Sequence, residues 1–275
     1  MPDLSEWLQR GNLAGALGEA RIAVNEDPDA ESVRHTLFVL LLIAGFPAEA
    51  REQAGELQRR HETFGEVHAE VLSLLDAAVA ADAFLLRGEG GVGGLGPPTA
   101  ELEACLEACR CLQIRDFEGA GTALAGRTPT KRPGVARLTT GDELAFQSVR
   151  DVHDPTGAVL SVLVPDGLVW VPWSELQSLR LEEERLAFDS ILRPGHLTRI
   201  GEAEEVRFMR VPMRYPRDPD APGDARFLAS GVMLEEKPGG LHVAHGWRTV
   251  ALETEDGDAV VPLSGLVSLE WEMSS

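Results

Sequence analysis

Apolar residues in the first half of the chain recur at spacings of three and four, the period of one face of an α-helix. This pattern predicts helices over 4–10, 13–26, 30–44, 48–61, 66–86, 99–112 and 117–125, with Asp29 as the N-cap of the third. The stretch 88–98 (GEGGVGGLGPP) breaks the pattern and cannot be helix. It looks like a phosphate-binding loop only superficially, because it lacks Gly-Lys-Ser/Thr and follows no strand. It is read as a flexible connector. Near Pro133 the texture changes to short Val-, Leu- and Trp-rich runs separated by Gly, Pro and Asp. Strands are predicted around 143–149, 158–164, 167–172, 178–181, 206–212, 227–234, 249–253 and 259–263, with a helical turn over 174–176.

Within the helical half, Gly11, Ala16, Ala23 and Pro28 stand at the offsets of the small residues and closing proline of a tetratricopeptide (TPR) helix pair. Gly45 and Ala50 lie 34 residues beyond Gly11 and Ala16, one such repeat further on. A degraded third copy starts at Arg115, with Ala120 in the place of Ala16. Small residues let two antiparallel helices approach closely, and proline ends the second. The fold class is therefore α+β in two parts. A TPR-like helical domain is expected over 1–130, a linker over 131–141, and a β-rich antiparallel sheet or barrel-like domain over 142–275.

Charge narrows the function. The formal net charge is −20, spread as −8 over 1–140 and −12 over 141–275. A nucleic-acid binder needs a basic face and a membrane-surface protein a polybasic one, so neither class is expected. The longest apolar run, 37–44, is too short to cross a bilayer, and the first dozen residues carry no secretion signal. Three cysteines (Cys105, Cys109, Cys111) do not make a disulfide framework, which points to a reducing, cytoplasmic setting. Cys105 and Cys109 would share one helix face, as buried small hydrophobes.

No chemical constellation stands out. His242 and His245 are three apart, and the flanking glycines suggest a loop between strands. No G-x-S-x-G elbow is present, and the acidic runs 182–184 and 204–205 read as solvated edges. Asp218, Asp220 and Asp224 lack the remaining ligands of a calcium loop. Nothing calls for a cofactor or a metal. Two aromatic steps remain, Trp170-Val171-Pro172-Trp173 and Pro212-Met213-Arg214-Tyr215-Pro216. Core packing with strand termination at proline is one reading of them, and an exposed aromatic contact surface is the other.

Together these residues resemble the ImpE/SciE family, the TagJ-type accessory proteins of bacterial type VI secretion systems. The resemblance rests on Gly11-Asn12-Leu13 and the run Arg34 to Phe38 in the helical half. In the β half it rests on Phe146, Asp151, Gly157, the Trp170–Trp173 step, Leu179 and Arg214-Tyr215-Pro216. It implies a non-enzymatic adaptor that binds the N-terminal helix of the sheath small subunit, TssB, in the service of the contractile sheath and its recycling by the ClpV unfoldase. A helical groove is a standard seat for a partner helix. Candidate partner-binding residues are Leu37, Phe38 and Leu41 on the third helix, or Trp170, Trp173 and Tyr215 in the β half. Self-association stays open. Two alternatives remain: a ligand-sensing module in the β half, and an enzyme using Asp151, His153 and Asp154.

Overall fold

The computed structural model describes residues 12–60, 65–126, 131–202, 205–217 and 231–272. Six helices lead: α1 (Leu13–Glu26), α2 (Glu31–Ile43), α3 (Pro47–Arg60), α4 (Gly65–Arg87), α5 (Ala100–Gln113) and α6 (Phe117–Leu124). These lie within a residue or two of the predicted ones, while the predicted helix 4–10 lies outside the described residues. Short polar side chains cap α1, α5 and α6. Asn12 accepts from the Gly15 amide at 2.8 Å, Thr99 from Leu102 at 3.2 Å, and Asp116 from Gly119 at 2.8 Å. At α2 the expected cap is corrected. Ala30 holds the N-cap position without a side-chain bond, and Asp29 pairs instead with Arg60 of α3. Ala16, Ala20, Ala50 and Ala54 are buried where α1, α2 and α3 pack, and Gly45 turns the chain between α2 and α3 at φ +76°.

Fourteen strands follow from the insert onward: β1 (Gly93–Gly94), β2 (Gly134–Leu138), β3 (Glu143–Phe146), β4 (Ser148–Asp151), β5 (Val159–Val164), β6 (Gly167–Pro172) and β7 (Leu176–Leu181), then β8 (Leu192–Arg199), β9 (Val206–Pro212), β10 (Val232–Lys237), β11 (Leu241–Gly246), β12 (Thr249–Thr254), β13 (Gly257–Pro262) and β14 (Leu266–Trp271). Nine of them form one sheet in the order β1-β6-β5-β9-β8-β7-β14-β2-β3. Strands β13-β12-β4 form a second sheet, and β10-β11 a ribbon. The main sheet is mixed, since β1 runs parallel to β6, and its strand order is open at both ends.

Several expectations change. The 88–98 insert is no free connector: Gly93 and Gly94 pair with Val169 and Trp170, and Arg199 holds the Leu95 carbonyl at 2.6 Å. The segment 131–141 contains β2, which sits between β14 and β3. The single strand expected over 143–149 is two, and the chain passes from one sheet to the other at Gln147. His242 and His245 stand on β11, not in a loop. Strands β2, β8, β11 and β14 escaped the hydrophobic pattern. β8 (LRPGHLTR) carries Pro and Gly in its interior, and β11 (LHVAHG) alternates through histidines.

The core runs through both halves. One apolar cluster begins at Leu13 and Leu41, continues through Phe84, and ends on Val159, Leu163, Leu168 and Trp170 of β5 and β6. The second lies on the other side of β5 and β6 and takes in Leu160, Val171, Leu176 and Leu179 together with Val250, Val261, Leu266 and Leu269.

That second cluster is built twice over. Strands β5, β6 and β7, with the short 3₁₀ turn Trp173–Glu175, recur as β12, β13 and β14, with Leu263–Gly265, at a constant offset of 90 residues. The sequence follows: Asp166-Gly167, Val171-Pro172 and the Ser174, Leu176, Ser178, Leu179 set return as Asp256-Gly257, Val261-Pro262 and Ser264, Leu266, Ser268, Leu269. β7 and β14 pair antiparallel, with Leu179 opposite Leu269 and Ser178 and Arg180 opposite Glu270 and Ser268. Pairing of equivalent residues is what a two-fold axis between the two leucines produces. Gly195 of β8, opposite Leu181, matches Gly134 of β2, opposite Trp271. A Cβ on either would press the equivalent carbonyls, Arg180 O at 3.1 Å and Glu270 O at 2.4 Å.

Candidate functional site

Residues 212–217 leave β9 and run along the seam between the two halves. Arg214 donates to the Ile43 carbonyl, and Arg217 to the Ala44 carbonyl at 3.1 Å. Both acceptors are end-of-helix carbonyls of α2, where positive charge is favourable. Each guanidinium also stacks on an aromatic ring, Arg214 on Trp247 at 4.6 Å and Arg217 on Phe46 at 4.8 Å. Burial pulls Arg214 down to about 10.

Between these arginines, Tyr215 turns into the β half. Its hydroxyl donates to Asp151 at 2.5 Å and accepts from the Thr249 amide at 3.2 Å. Arg248 meets the other Asp151 oxygen at 3.1 Å, and the His153 amide and Thr156 hydroxyl complete the ring of donors at 2.9 and 3.3 Å. Burial pushes the Asp151 carboxyl up, against the pull of Arg248 and of the donors. His153 accepts from the Ala244 amide through Nδ1 at 3.0 Å. That bond requires an unprotonated Nδ1, and burial, with Arg248 and His245 nearby, lowers the ring to about 3. Both Asp151 oxygens, the Tyr215 hydroxyl and the His153 Nδ1 are committed to structural bonds. Asp154 is likewise held, accepting from the His242 amide at 2.7 Å.

All six predicted partner-binding residues are buried. Leu37, Phe38 and Leu41 lie inside the helical core, Trp170 packs edge-to-face on Phe84 of α4 at 5.8 Å, and Trp173 and Tyr215 face the β core and its small satellite cluster. Core packing, the first of the two readings of the aromatic steps, is what the structure shows. Of these six, Trp173 and Tyr215 line open space. Trp173 lines a cleft of about 290 Å³ with Trp271, Glu101 and Ser174. Tyr215 lines a cavity of about 80 Å³ at the seam. A third recess, about 810 Å³, lies among α1 to α4 and is bordered by Val24, Arg34, Arg51, Gln53, Arg59 and Leu72. The three cysteines are buried and unbonded to one another.

Two residues of the seam were not singled out from the sequence, Arg248 and Asp82. Arg248 carries no spacing signal. Asp82 does, as an acid inside the apolar run of α4. It lines the seam cavity with Arg214 and Arg248, and burial raises it to about 7 against the pull of Arg248 and Arg87. The folded state therefore holds the Asp82 proton up to about pH 7, while an unfolded chain loses it near 4. The sign follows: this group stabilises the fold below pH 4, and that stability is lost as pH rises to 7. His153 acts at the opposite end, costing stability as pH falls from about 6.5 toward 3. Asp82→Asn is expected to raise the melting temperature at pH 8 and leave it unchanged at pH 4, read by thermal denaturation across that range.

The fold and this seam define a class: a helical array fused to a duplicated β unit, joined by an Arg-Tyr-Pro clasp, with the aromatic step of β6 packed beneath the helices. Residues 143–264 match the ImpE protein family model. It is 28% identical over 228 residues to the type VI secretion system accessory component TagJ of Pseudomonas aeruginosa, a match covering 81% of this chain and 77% of that one. The crystal structure of protein VPA1032 from Vibrio parahaemolyticus has the same fold, with a TM-score of 0.83 at 19% identity over 98% of both chains.

Proposed function

We propose that this protein is a non-enzymatic accessory adaptor of a type VI secretion system, working in the cytoplasm. The observation that carries the reading is the similarity to TagJ over most of both chains. The consumption of Asp151, His153 and Asp154 in structural bonds supports an adaptor over an enzyme.

The finer reading is capture of the N-terminal helix of the sheath small subunit, TssB, with the ClpV unfoldase acting on the sheath so marked. The helical half, read as TPR-like, supplies the seat. The recess among α1 to α4, about 810 Å³, is roomier than the 290 Å³ cleft at Trp173. Its rim mixes Arg34, Arg51, Arg59 and Arg60 with Glu52 and Glu56 beside apolar Val24 and Leu72, a surface that suits an amphipathic helix. The test is a pull-down with the full sheath small subunit and with a form lacking its N-terminal helix. Recovery of the full form alone is expected, and equal recovery of both would overturn helix capture.

A further inference from the structure

We propose that the free edge of β13 is a docking site for an extended, lysine- or arginine-bearing segment of a partner protein, added as a strand. The duplicated unit supplies the precedent. In the first copy the Trp173 amide bonds to the Ala158 carbonyl at 3.0 Å, which fixes the phase of the β5–β6 ladder. Alternation then points the backbone groups of Leu168 and Trp170 away from β5. That outward edge is where β1 pairs, with Gly93 and Gly94 beside Val169 and Trp170. In the second copy the Leu263 amide bonds to the Arg248 carbonyl at 2.9 Å, so the phase is the same. The outward groups are now those of Asp258 and Val260. Among the described residues no strand pairs with them, for β13 ends its sheet.

The two edges differ in ways that select the occupant. Leu168 and Trp170 are buried under the helices, while their equivalents Asp258 and Val260 are exposed, Val260 by 59%. Val169, which a Cβ on Gly93 would meet at 3.4 Å, is replaced by the smaller Ala259. An incoming strand at β13 therefore need not be glycine. Charge sets the rest: Glu255, Asp256 and Asp258 are exposed along this edge, and residues 255–262 contain no lysine or arginine. Backbone pairing gives the affinity of such a contact, and opposite charge its direction and partner choice. The site is separate from the helical groove, so it stands or falls independently of helix capture.

The test is an amide chemical-shift titration of the full chain. The probe is a synthetic peptide of alternating threonine and valine flanked by lysine pairs, and the control is the same peptide flanked by glutamates. Saturable shifts centred on Asp258 and Val260 with the lysine form, at least about tenfold weaker with the glutamate form, are expected. Val260→Pro removes an outward donor and leaves the β12 ladder intact, so the variant keeps the parent melting temperature and loses the peptide. No shifts at these amides, equal shifts with both peptides, or unchanged binding by Val260→Pro would each overturn the proposal.

Discussion

Arg248→Met is expected to cost the fold about 3–5 kcal/mol, because it leaves a carboxylate buried without its cation. The Arg248 and Asp151 side chains are each only 4% exposed, and their 3.1 Å contact is the only ion pair Asp151 makes among the described residues. Arg248 does more than neutralise charge: its guanidinium lies over the Tyr215 ring at 5.1 Å and donates to the Arg214 carbonyl at 3.3 Å. Losing it loosens the clasp that holds α2 against the β half. Urea denaturation at pH 7 measures the cost. Two controls separate charge from packing. The double variant Asp151→Leu with Arg248→Met removes both partners and should recover much of the loss, since a buried pair gains little over well-packed apolar groups. The deficit of the single variant should also narrow as pH falls, because burial raises the Asp151 carboxyl and a protonated Asp151 no longer needs the cation. A loss under about 1 kcal/mol would mean that the clasp does not depend on this pair.

The helical half was legible because its signals are local. The three-and-four spacing places α1 to α6 within a residue or two, while the caps Asn12, Thr99 and Asp116 were not singled out from the sequence. The one cap expected, Asp29, is displaced: Ala30 takes the N-cap position of α2, and Asp29 reaches Arg60 on a neighbouring helix. In the β half, strands with clean apolar runs were readable, whereas β8 was hidden by its interior Pro and Gly and β11 by its histidines, which break the apolar pattern. The polar cluster was half visible. Asp151 and Tyr215 stand out as family residues, but their partner Arg248 is 97 residues from Asp151, and no periodicity links the two. The duplication was legible in principle, since the Asp-Gly, Val-Pro and Ser-x-Leu-x-Ser-Leu steps return at one constant offset. It stays hidden to a search tuned to helical repeats, because its outer face has diverged from apolar to acidic while only the inner face is kept.

That divergence gives the sharpest prediction about what joins the two halves. Trp170 and Val260 occupy the same position of the duplicated unit, on the outer face of β6 and β13. Trp170 is wholly buried against Phe84, in the cluster that runs without a break from the helices into the sheet. Val260 is exposed. Trp170→Ala is expected to destabilise by about 3–5 kcal/mol through the cavity it opens, and Val260→Ala to stay within about 0.5 kcal/mol. The Trp170 indole N–H has no acceptor among the described residues, so its polar atom adds nothing to the seam. Trp170→Phe should therefore cost far less than the alanine change, since it keeps the ring against Phe84 and discards only the unpaired donor. Hydrogen exchange gives the spatial signature. In Trp170→Ala the amides of α4 and of β5–β6 should lose protection together, while those of β12–β14 keep theirs in the early phase, because only the first copy of the unit shares its core with the helices. Uniform loss of protection across both copies would show that the seam is held by the Arg-Tyr-Pro clasp and not by the tryptophan.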